Sequence, residues 1–455
     1  MKTEDKYDLI VIGGGPGGHA TAEYSAKHGA KVCIIEKNGW GGTCTHRGCI
    51  PTKALLASSK RFADLKKLKR MGISCDNSSF DFSAVKRHQL QMVRLSAMGT
   101  EISLREAGVE LKLGEGVLTA PGRVEYRSAT GEVQPLSAPH IAIAWGSEPS
   151  LLPILGRSEK ILTSDDFLTL TTLPKRVIII GGNVIGVEFA TFLAEMGSAV
   201  TIVEILDRIL PFEDEEAAEL LTQELKRLNI TIHAATTVKR TEERPDGIRV
   251  FADKGADKEQ ASIELEGDIV LLCTGRRPHL FTDQLDALGV SYDPRGIHIN
   301  AHQQTNIEGV YAVGDVTGGM MLAHRAIQQG RSLASHLFGD RSVPYVDEAV
   351  PSVVYSHPPL ARVGMTSAEA GRRGLDVDVI KTEYSANIMA RTELAGQGFV
   401  KLVFHQDRLL GATIFGTEAS ELIVSLSLAV VGRLERSTLS AWIIPHPTIS
   451  EILRV

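Results

Sequence analysis

Two cysteines set among glycines carry the most pointed chemistry in this sequence. Gly41-Gly42-Thr43-Cys44-Thr45-His46-Arg47-Gly48-Cys49-Ile50-Pro51-Thr52-Lys53 places Cys44 and Cys49 five positions apart. In a regular helix that spacing gives about 7.5 Å of rise, more than the about 4.4–6.8 Å between the Cα atoms of a disulfide. Gly48 and the Gly41-Gly42 pair permit an irregular turn that closes the gap. Pro51 suits the first turn of a helix predicted from Thr52 to about Leu68. Cysteines at a helix N-terminus have lowered pKa values, which favours thiolate chemistry. A redox disulfide competes here with a zinc site (Cys44, His46, Cys49) and with two inert buried thiols. The zinc site lacks a second cysteine pair or spaced histidines to complete it. Inert thiols belong poorly at a glycine-flanked helix start. The redox pair is the favoured reading, and no metal is expected. Cys33, Cys75 and Cys273 are isolated, and Cys33 and Cys273 sit in apolar strand runs as small core residues.

A second group closes the chain, Pro445-His446-Pro447-Thr448-Ile449-Ser450-Glu451. His446 precedes a proline, so it should be extended and outside a helix. Pro447 suits the opening of a terminal helix. Glu451, about one turn on, can fold back and fix the imidazole tautomer. A histidine base with a carboxylate orienter is what thiol chemistry needs near neutral pH. On these residues alone, a helix-capping histidine beside a solvated glutamate is the simpler reading.

The elements that must position such groups come from an internal repeat. Asp8-Leu9-Ile10-Val11-Ile12 leads into Gly13-Gly14-Gly15-Pro16-Gly17-Gly18, and Arg176-Val177-Ile178-Ile179-Ile180 leads into Gly181-Gly182-Asn183-Val184-Ile185-Gly186. An offset of 168 superposes Gly13 on Gly181, Gly18 on Gly186, Ala22 on Ala190, Gly29 on Gly197, Val32 on Val200 and Glu36 on Glu204. This is a duplicated βαβ unit, not a short-period solenoid. Each copy has the dinucleotide-binding layout: a buried parallel strand, a glycine turn, a helix whose N-terminal amides hold a pyrophosphate, and an acid at the end of the next strand for ribose hydroxyls. Strand, glycines, helix and spaced acid together are a far stronger signal than the glycines alone.

The second copy departs at one point. Asn183 stands where the first copy has Gly15, the position at which backbone approaches the pyrophosphate. Asparagine tolerates positive φ better than most residues, so the turn can survive, while its side chain can obstruct the phosphate. Glu204 also bears on cofactor choice. A 2′-phosphate needs a cation and repels a carboxylate, and Arg208 is the first basic residue after Glu204, so NAD is preferred over NADP.

Composition sets the frame. A chain of 455 residues predicts about three domains. Lys plus Arg number 49 and Asp plus Glu 55, a net charge of −6 that argues against a nucleic-acid surface. The densest basic run, Lys66-Lys67-Leu68-Lys69-Arg70, reads as a solvated helix face. No apolar run reaches the ~18 residues of a membrane span. Met1-Lys2-Thr3-Glu4-Asp5-Lys6 passes straight into a strand without a signal peptide, so a cytoplasmic protein, or an organellar one after processing, is expected.

Two dinucleotide folds with Gly-Gly-Thr-Cys-x4-Gly-Cys-Ile-Pro-Thr-Lys resemble the flavoprotein disulfide reductases, and the resemblance covers essentially the whole chain. It implies an α/β architecture with two Rossmann-like domains, for FAD and NAD, and an α+β dimerisation domain. The implied divisions are FAD domain 1–148 and 274–345, NAD domain 149–273, and interface domain 346–455. By resemblance Cys44 exchanges with substrate and Cys49 faces the flavin. Lys53 lies near the flavin N5, with Glu188 as its ion-pair partner. Gly13, Gly15, Gly18, Glu36, Gly42, Thr43, Gly146, Gly314, Asp315, Leu322, Ala323 and His324 fall among the implied cofactor contacts, as do Gly181, Gly186, Glu204, Gly275 and Arg276 for the second fold and its exit. Asp315 matches the residue that hydrogen-bonds the FAD ribitol. The resemblance also turns His446 and Glu451 into a catalytic pair serving the disulfide of a partner subunit, which implies an obligate homodimer.

Members that oxidise dihydrolipoamide with NAD+ fit best, with the dihydrolipoyl group free or on an acyltransferase or carrier of a multienzyme complex. Glutathione reductases would carry basic residues after Glu204, and mercuric reductases a C-terminal cysteine pair where this chain has Ile452-Leu453-Arg454-Val455. Trp145, Pro359, Ile444 and the Asn387-Ile388-Met389-Ala390 run depart from common family residues. With Asn183, Trp145 leaves open a flavoprotein assembly component whose NAD site is weakened.

Overall fold

In a computed structural model the structure describes residues 5–75, 77–156, 158–255 and 261–455. Met1–Glu4, read from sequence as the run into the first strand, lie outside the described residues. The chain forms two compact units: Met1–Ala54 with Arg87–Ser150 and Arg276–Tyr345, and Leu55–Lys86 with Leu151–Gly275 and Val346–Val455. Each holds one copy of the repeat. The stretch 55–86, which the sequence reading keeps with the first fold, groups with the second unit.

In the first unit Leu9–Ile12 lies at the centre of a parallel array. Val32–Glu36 and then Glu110–Ala120 pair on one side of it, His140–Ile143 and then Val310–Ala312 on the other. Leu9, Ile10, Val11 and Ile12 are all buried, as strands covered on both faces must be. The Pro16–Lys27 helix follows the glycine turn. Glu110–Ala120 continues into an antiparallel meander with Arg123–Ser128 and Val133–Ser137.

The second unit repeats the order. Arg176–Ile180 is central, with Ala199–Val203 and Thr231–His233 on one side and Ile269–Leu272 and Ile161–Thr163 on the other, all parallel. The Val184–Glu195 helix matches Pro16–Lys27 residue for residue at the offset of 168. A separate antiparallel meander, Thr236–Arg244, Gly247–Lys254 and Ala261–Gly267, occupies the same place in the topology. The outer strand differs in origin. Ile161–Thr163 precedes its repeat in the chain, whereas Val310–Ala312 follows its own.

The C-terminal part of the second unit is an antiparallel five-stranded sheet, ordered Ser352–Val354, Leu360–Gly364, Arg408–Phe415, Phe399–His405, Asp378–Glu383. The Ala419–Val431 helix packs Leu422, Ile423 and Leu426 into a core with Val363, Leu402 and Ile414. The basic run 66–70 is solvated, apart from a half-buried Leu68.

Two helix boundaries differ from the sequence reading. The cysteine helix runs Cys49–Leu68, so it opens at Cys49 and not at Thr52. Pro51 is its third residue, still in the first turn, where a missing N–H breaks no helical bond. At the C-terminus Pro447 opens no helix. Thr448 is extended (φ −143°, ψ 159°), and a short 3-10 segment, Ile449–Leu453, follows it.

Candidate functional site

The thiol pair is built by a helix that stops and restarts. Gly42–Arg47 forms a short helix, Gly48 breaks it with φ −147° and ψ −107°, and a new helix begins at Cys49. The interruption brings the Cys44 and Cys49 side chains into a hydrogen bond. That contact, and after it burial, pushes the Cys44 thiol well above its ordinary pKa, while the Lys53 charge pulls the other way. The lowered value expected from a helix N-terminus therefore does not hold for Cys44. A proton shared with a neighbouring thiol, in a partly dry site, outweighs the dipole of a six-residue helix. His46, the third ligand of the zinc alternative, hydrogen-bonds through Nε2 to the Trp40 carbonyl at 3.0 Å. Among the described residues no group of three or more His, Cys, Asp or Glu gathers as a metal site.

The cysteine loop is stitched to the first glycine turn. Gly41 N–H donates to the Gly14 carbonyl at 2.9 Å. A Cβ on Gly42 (φ 56°) would lie 2.7 Å from Gly15 Cα, and one on Gly18 would lie 1.9 Å from the Gly13 carbonyl oxygen. Thr43 is the second residue of the short helix. Glu36 is buried and accepts from Gly14 N–H and Asn38 N–H, each at 2.6 Å. Each carboxylate oxygen keeps a further lone pair for a ribose hydroxyl. No side chain caps the Pro16–Lys27 helix, and Gly15 offers none. A helix start open to an anion, glycines packed too closely for any Cβ, and an acid at the next strand end fit a dinucleotide.

A buried polar group completes this unit. Ser147 donates to Asp315 Oδ2 at 2.6 Å, and Arg276 Nε donates to the Ser147 hydroxyl at 2.9 Å. Burial raises the Asp315 carboxyl, against the pull of Ser147, Arg276 and Arg325. Gly146 and Gly314 both take positive φ, 74° and 78°, and Gly314 N–H donates to Gln329 at 2.8 Å. Leu322 precedes the Ala323–Phe338 helix, of which His324 is the second residue. Trp145 packs edge-on against Phe281, with ring centroids 4.8 Å apart, and lies partly buried against the first unit's core. Ser147, Arg325 and Gln329 lay outside the sequence-predicted set. Only their places near the Gly146 and Gly314 motifs could have signalled them.

The second fold reproduces the first in its acid. Glu204 is buried and accepts from Gly182 N–H at 2.6 Å and Leu206 N–H at 2.8 Å, the bonds of Glu36 shifted by 168. Cβ atoms on Gly181 and Gly186 would lie 2.1 Å from the Cys273 carbonyl oxygen and 2.0 Å from that of Gly181. Arg208 spends its guanidinium on the carbonyls of Leu210, Pro211 and Glu213, so it is committed away from a 2′-phosphate. Asn183 has φ −78° and ψ −176°. Positive φ, the reason for expecting asparagine to be tolerated, is not what this position requires. Gly275 has φ 94°. Glu188 is buried in this unit and accepts from Tyr355 N–H at 3.1 Å.

At the C-terminus His446 Nδ1 lies 3.0 and 3.2 Å from the Glu451 oxygens. Thr448 N–H donates to the same carboxylate at 3.2 Å and is the main cause holding Glu451 below its ordinary pKa. The carboxylate therefore keeps its charge to lower pH than an ordinary glutamate. The imidazole side chain is 73% exposed and its Nε2 edge is directed away from Glu451. Asn387, where the family often has a nearby arginine, donates to the carbonyls of Thr448 at 3.0 Å and Ile449 at 3.2 Å, anchoring this segment. Ile444 is buried in the C-terminal core.

Comparison with known proteins places these features in a family. Residues 7–330 match the pyridine nucleotide-disulphide oxidoreductase model, and residues 350–455 match the dimerisation domain of that family. A dihydrolipoyl dehydrogenase of Chlorobaculum tepidum is 35% identical over 99% of this chain and 96% of its own. One of Bacillus subtilis is 36% identical over 98% and 94%. Among solved structures, LpdA of Mycobacterium tuberculosis superposes with a TM-score of 0.91 at 24% identity, covering 99% of this chain and 98% of its own. The HOCl-induced flavoprotein disulfide reductase RclA of Escherichia coli, solved as a Cu(II) complex, superposes with a TM-score of 0.86 at 27% identity and the same coverage.

Proposed function

The chain belongs to the pyridine nucleotide-disulphide oxidoreductases, and we propose that it works as a dihydrolipoyl dehydrogenase. It uses FAD and NAD, and its dimerisation domain makes it a homodimer. The observation that carries the reading is the hydrogen-bonded Cys44–Cys49 pair, fixed to the glycine turn of the first fold with Lys53 one turn beyond Cys49.

In the oxidised enzyme the two cysteines form a disulfide. A substrate thiolate attacks Cys44, breaks the Cys44–Cys49 bond and releases Cys49 as thiolate. The second substrate thiol then attacks the substrate sulfur of the mixed disulfide, displaces Cys44 and gives it its proton, leaving the substrate as a cyclic disulfide and the enzyme with a Cys44 thiol and a Cys49 thiolate. His446, held by Glu451, takes the proton from the attacking thiol, and in a homodimer it does so for the partner subunit's pair. Lys53 stabilises negative charge on the pair. Bound FAD supplies the route by which the dithiol's electron pair leaves as hydride to NAD+. The Ser147–Asp315–Arg276 group and Glu36 would hold and orient FAD, while Glu204 would accept hydrogen bonds from the ribose of NAD. The dihydrolipoyl group is carried by an acyltransferase or carrier protein of a multienzyme complex, in the cytoplasm. No described helix is long and apolar enough to cross a membrane.

The test is oxidation of dihydrolipoamide by purified, FAD-loaded protein with NAD+ and NADP+ in parallel. Rapid turnover with NAD+ alone is expected. Turnover with glutathione or with NADP+, and none with dihydrolipoamide, would overturn it.

A further inference from the structure

The two repeats treat the same pair of backbone groups in opposite ways. In the first fold Gly15 precedes the helix, its backbone is extended (φ −70°, ψ −178°), and no side chain reaches the first-turn amides. A Cβ placed there would meet nothing nearer than Gly42 Cα at 4.0 Å, so the position has room for a side chain and carries none. In the second fold Asn183 has nearly the same backbone, φ −78° and ψ −176°. Its Oδ1 accepts from Ile185 N–H at 3.0 Å and Gly186 N–H at 3.3 Å, and its Nδ2 donates to the Cys273 carbonyl at 2.5 Å. Both ends of the amide are therefore engaged, and the conformation of the turn does not demand them.

Those first-turn amides are the groups that hold a pyrophosphate in a dinucleotide fold. We propose that Asn183 is a built-in competitor for the pyrophosphate of NAD, an affinity-setting residue that must swing off the helix start before the nucleotide is held there. This rests on the reading that the second fold takes NAD. The phosphate wins the exchange because it brings full charge to the helix dipole, where the amide brings only a dipole of its own. Its net affinity is lowered by what the cap contributes. An asparagine cap is worth ~1 kcal/mol relative to alanine, which corresponds to about five-fold in affinity. The cost falls on the second fold alone and favours an exchanging nucleotide there.

The experiment is calorimetric titration of the FAD-loaded dimer with ADP-ribose, which carries the pyrophosphate and undergoes no redox reaction, and with adenosine, which lacks it. Asn183→Ala removes the cap and keeps the Cβ, Asn183→Gly reproduces the first repeat, and Asn183→Asp strengthens the cap and adds repulsion. Ala should bind ADP-ribose about five-fold more tightly, Gly, whose loss of the cap costs only a few tenths of a kcal/mol, about two-fold more tightly, and Asp more weakly, with adenosine affinity unchanged throughout. Asn183→Ala should also lower the thermal midpoint of the nucleotide-free enzyme. A merely structural role would lower stability and affinity together, so the opposite signs are diagnostic. Unchanged or weaker ADP-ribose binding in Ala and Gly, with flavin content intact, overturns the proposal. If neither the parent nor any variant binds ADP-ribose, the assignment of the second fold to NAD fails instead.

Discussion

The two dinucleotide folds of this chain share strand order, helix limits and the two hydrogen bonds that the acid accepts, one from the glycine turn and one from two residues beyond the acid, yet they differ in what meets the helix start. The first leaves its amides open and presses a second glycine loop, bearing Cys44, against the turn. The second fills the same place with its own asparagine. The duplicated scaffold thus fixes where a dinucleotide lies, and single residues at the turn decide how firmly it is held and whether redox chemistry sits beside it. One copy suits a resident cofactor with a dithiol at its side, and the other suits a nucleotide that comes and goes.

The largest effect separates chemistry from binding. Cys44→Ser should lower dihydrolipoamide oxidation by about 10⁴-fold or more, the scale seen when a nucleophile is removed, with ADP-ribose titration showing the second fold unaffected. Retained dithiol turnover would remove the first fold's claim to the redox step. His446→Gln comes next, with a loss of about 10²–10⁴-fold in turnover, as expected for a general base, and unchanged flavin content. Activity equal to that of the parent would return His446 to a capping role.

Paired glycine changes sharpen the comparison itself. A Cβ at Gly18 or Gly186 meets a carbonyl oxygen at 1.9 or 2.0 Å, and such overpacking costs about 1–3 kcal/mol or more. Gly18→Ala should yield protein depleted of FAD. Gly186→Ala should keep its flavin and lose ADP-ribose binding. Flavin loss in Gly186→Ala alone would reverse the assignment of the two folds. The smallest difference is predicted for the acids. Glu36→Gln and Glu204→Gln each weaken two bonds from backbone amides, so each should lower stability by about 1 kcal/mol, and thermal unfolding should show similar losses. A large inequality would mean that the repeated geometry hides unequal environments.

Much of this arrangement was legible in one dimension because the signals are local. Alternation of apolar strands with glycine turns at a fixed offset can only fold as paired parallel βαβ units, and the glycines are required wherever a Cβ would strike a carbonyl. The redox reading of Cys44 and Cys49 follows from residue type and spacing, whereas His446 and Glu451 by themselves read as a cap, and only the family resemblance makes them an acid–base pair. The helix limits were less legible. Pro51 tolerates three positions of a first turn equally, and a proline at 447 does not reveal that Thr448 stays extended.

What tertiary structure alone decided is long-range. Asp315 finds Ser147 across 168 positions, and Arg276 joins them from a third segment. Asn387 anchors the carbonyls that follow His446. Trp145, ambiguous in sequence, packs partly buried against the core beside Phe281. Asn183 reads in sequence as an obstruction or a tolerated turn residue, and only its bonds to Ile185, Gly186 and Cys273 make it a cap. The Cys44 thiol is raised where a helix end argues for lowering, because a partner brought in by the break at Gly48 acts more strongly than the dipole. Sequence determines the repeat and the spacing of the two thiols because these depend on neighbours along the chain. Protonation and capping depend on neighbours in space, and those exist only after folding.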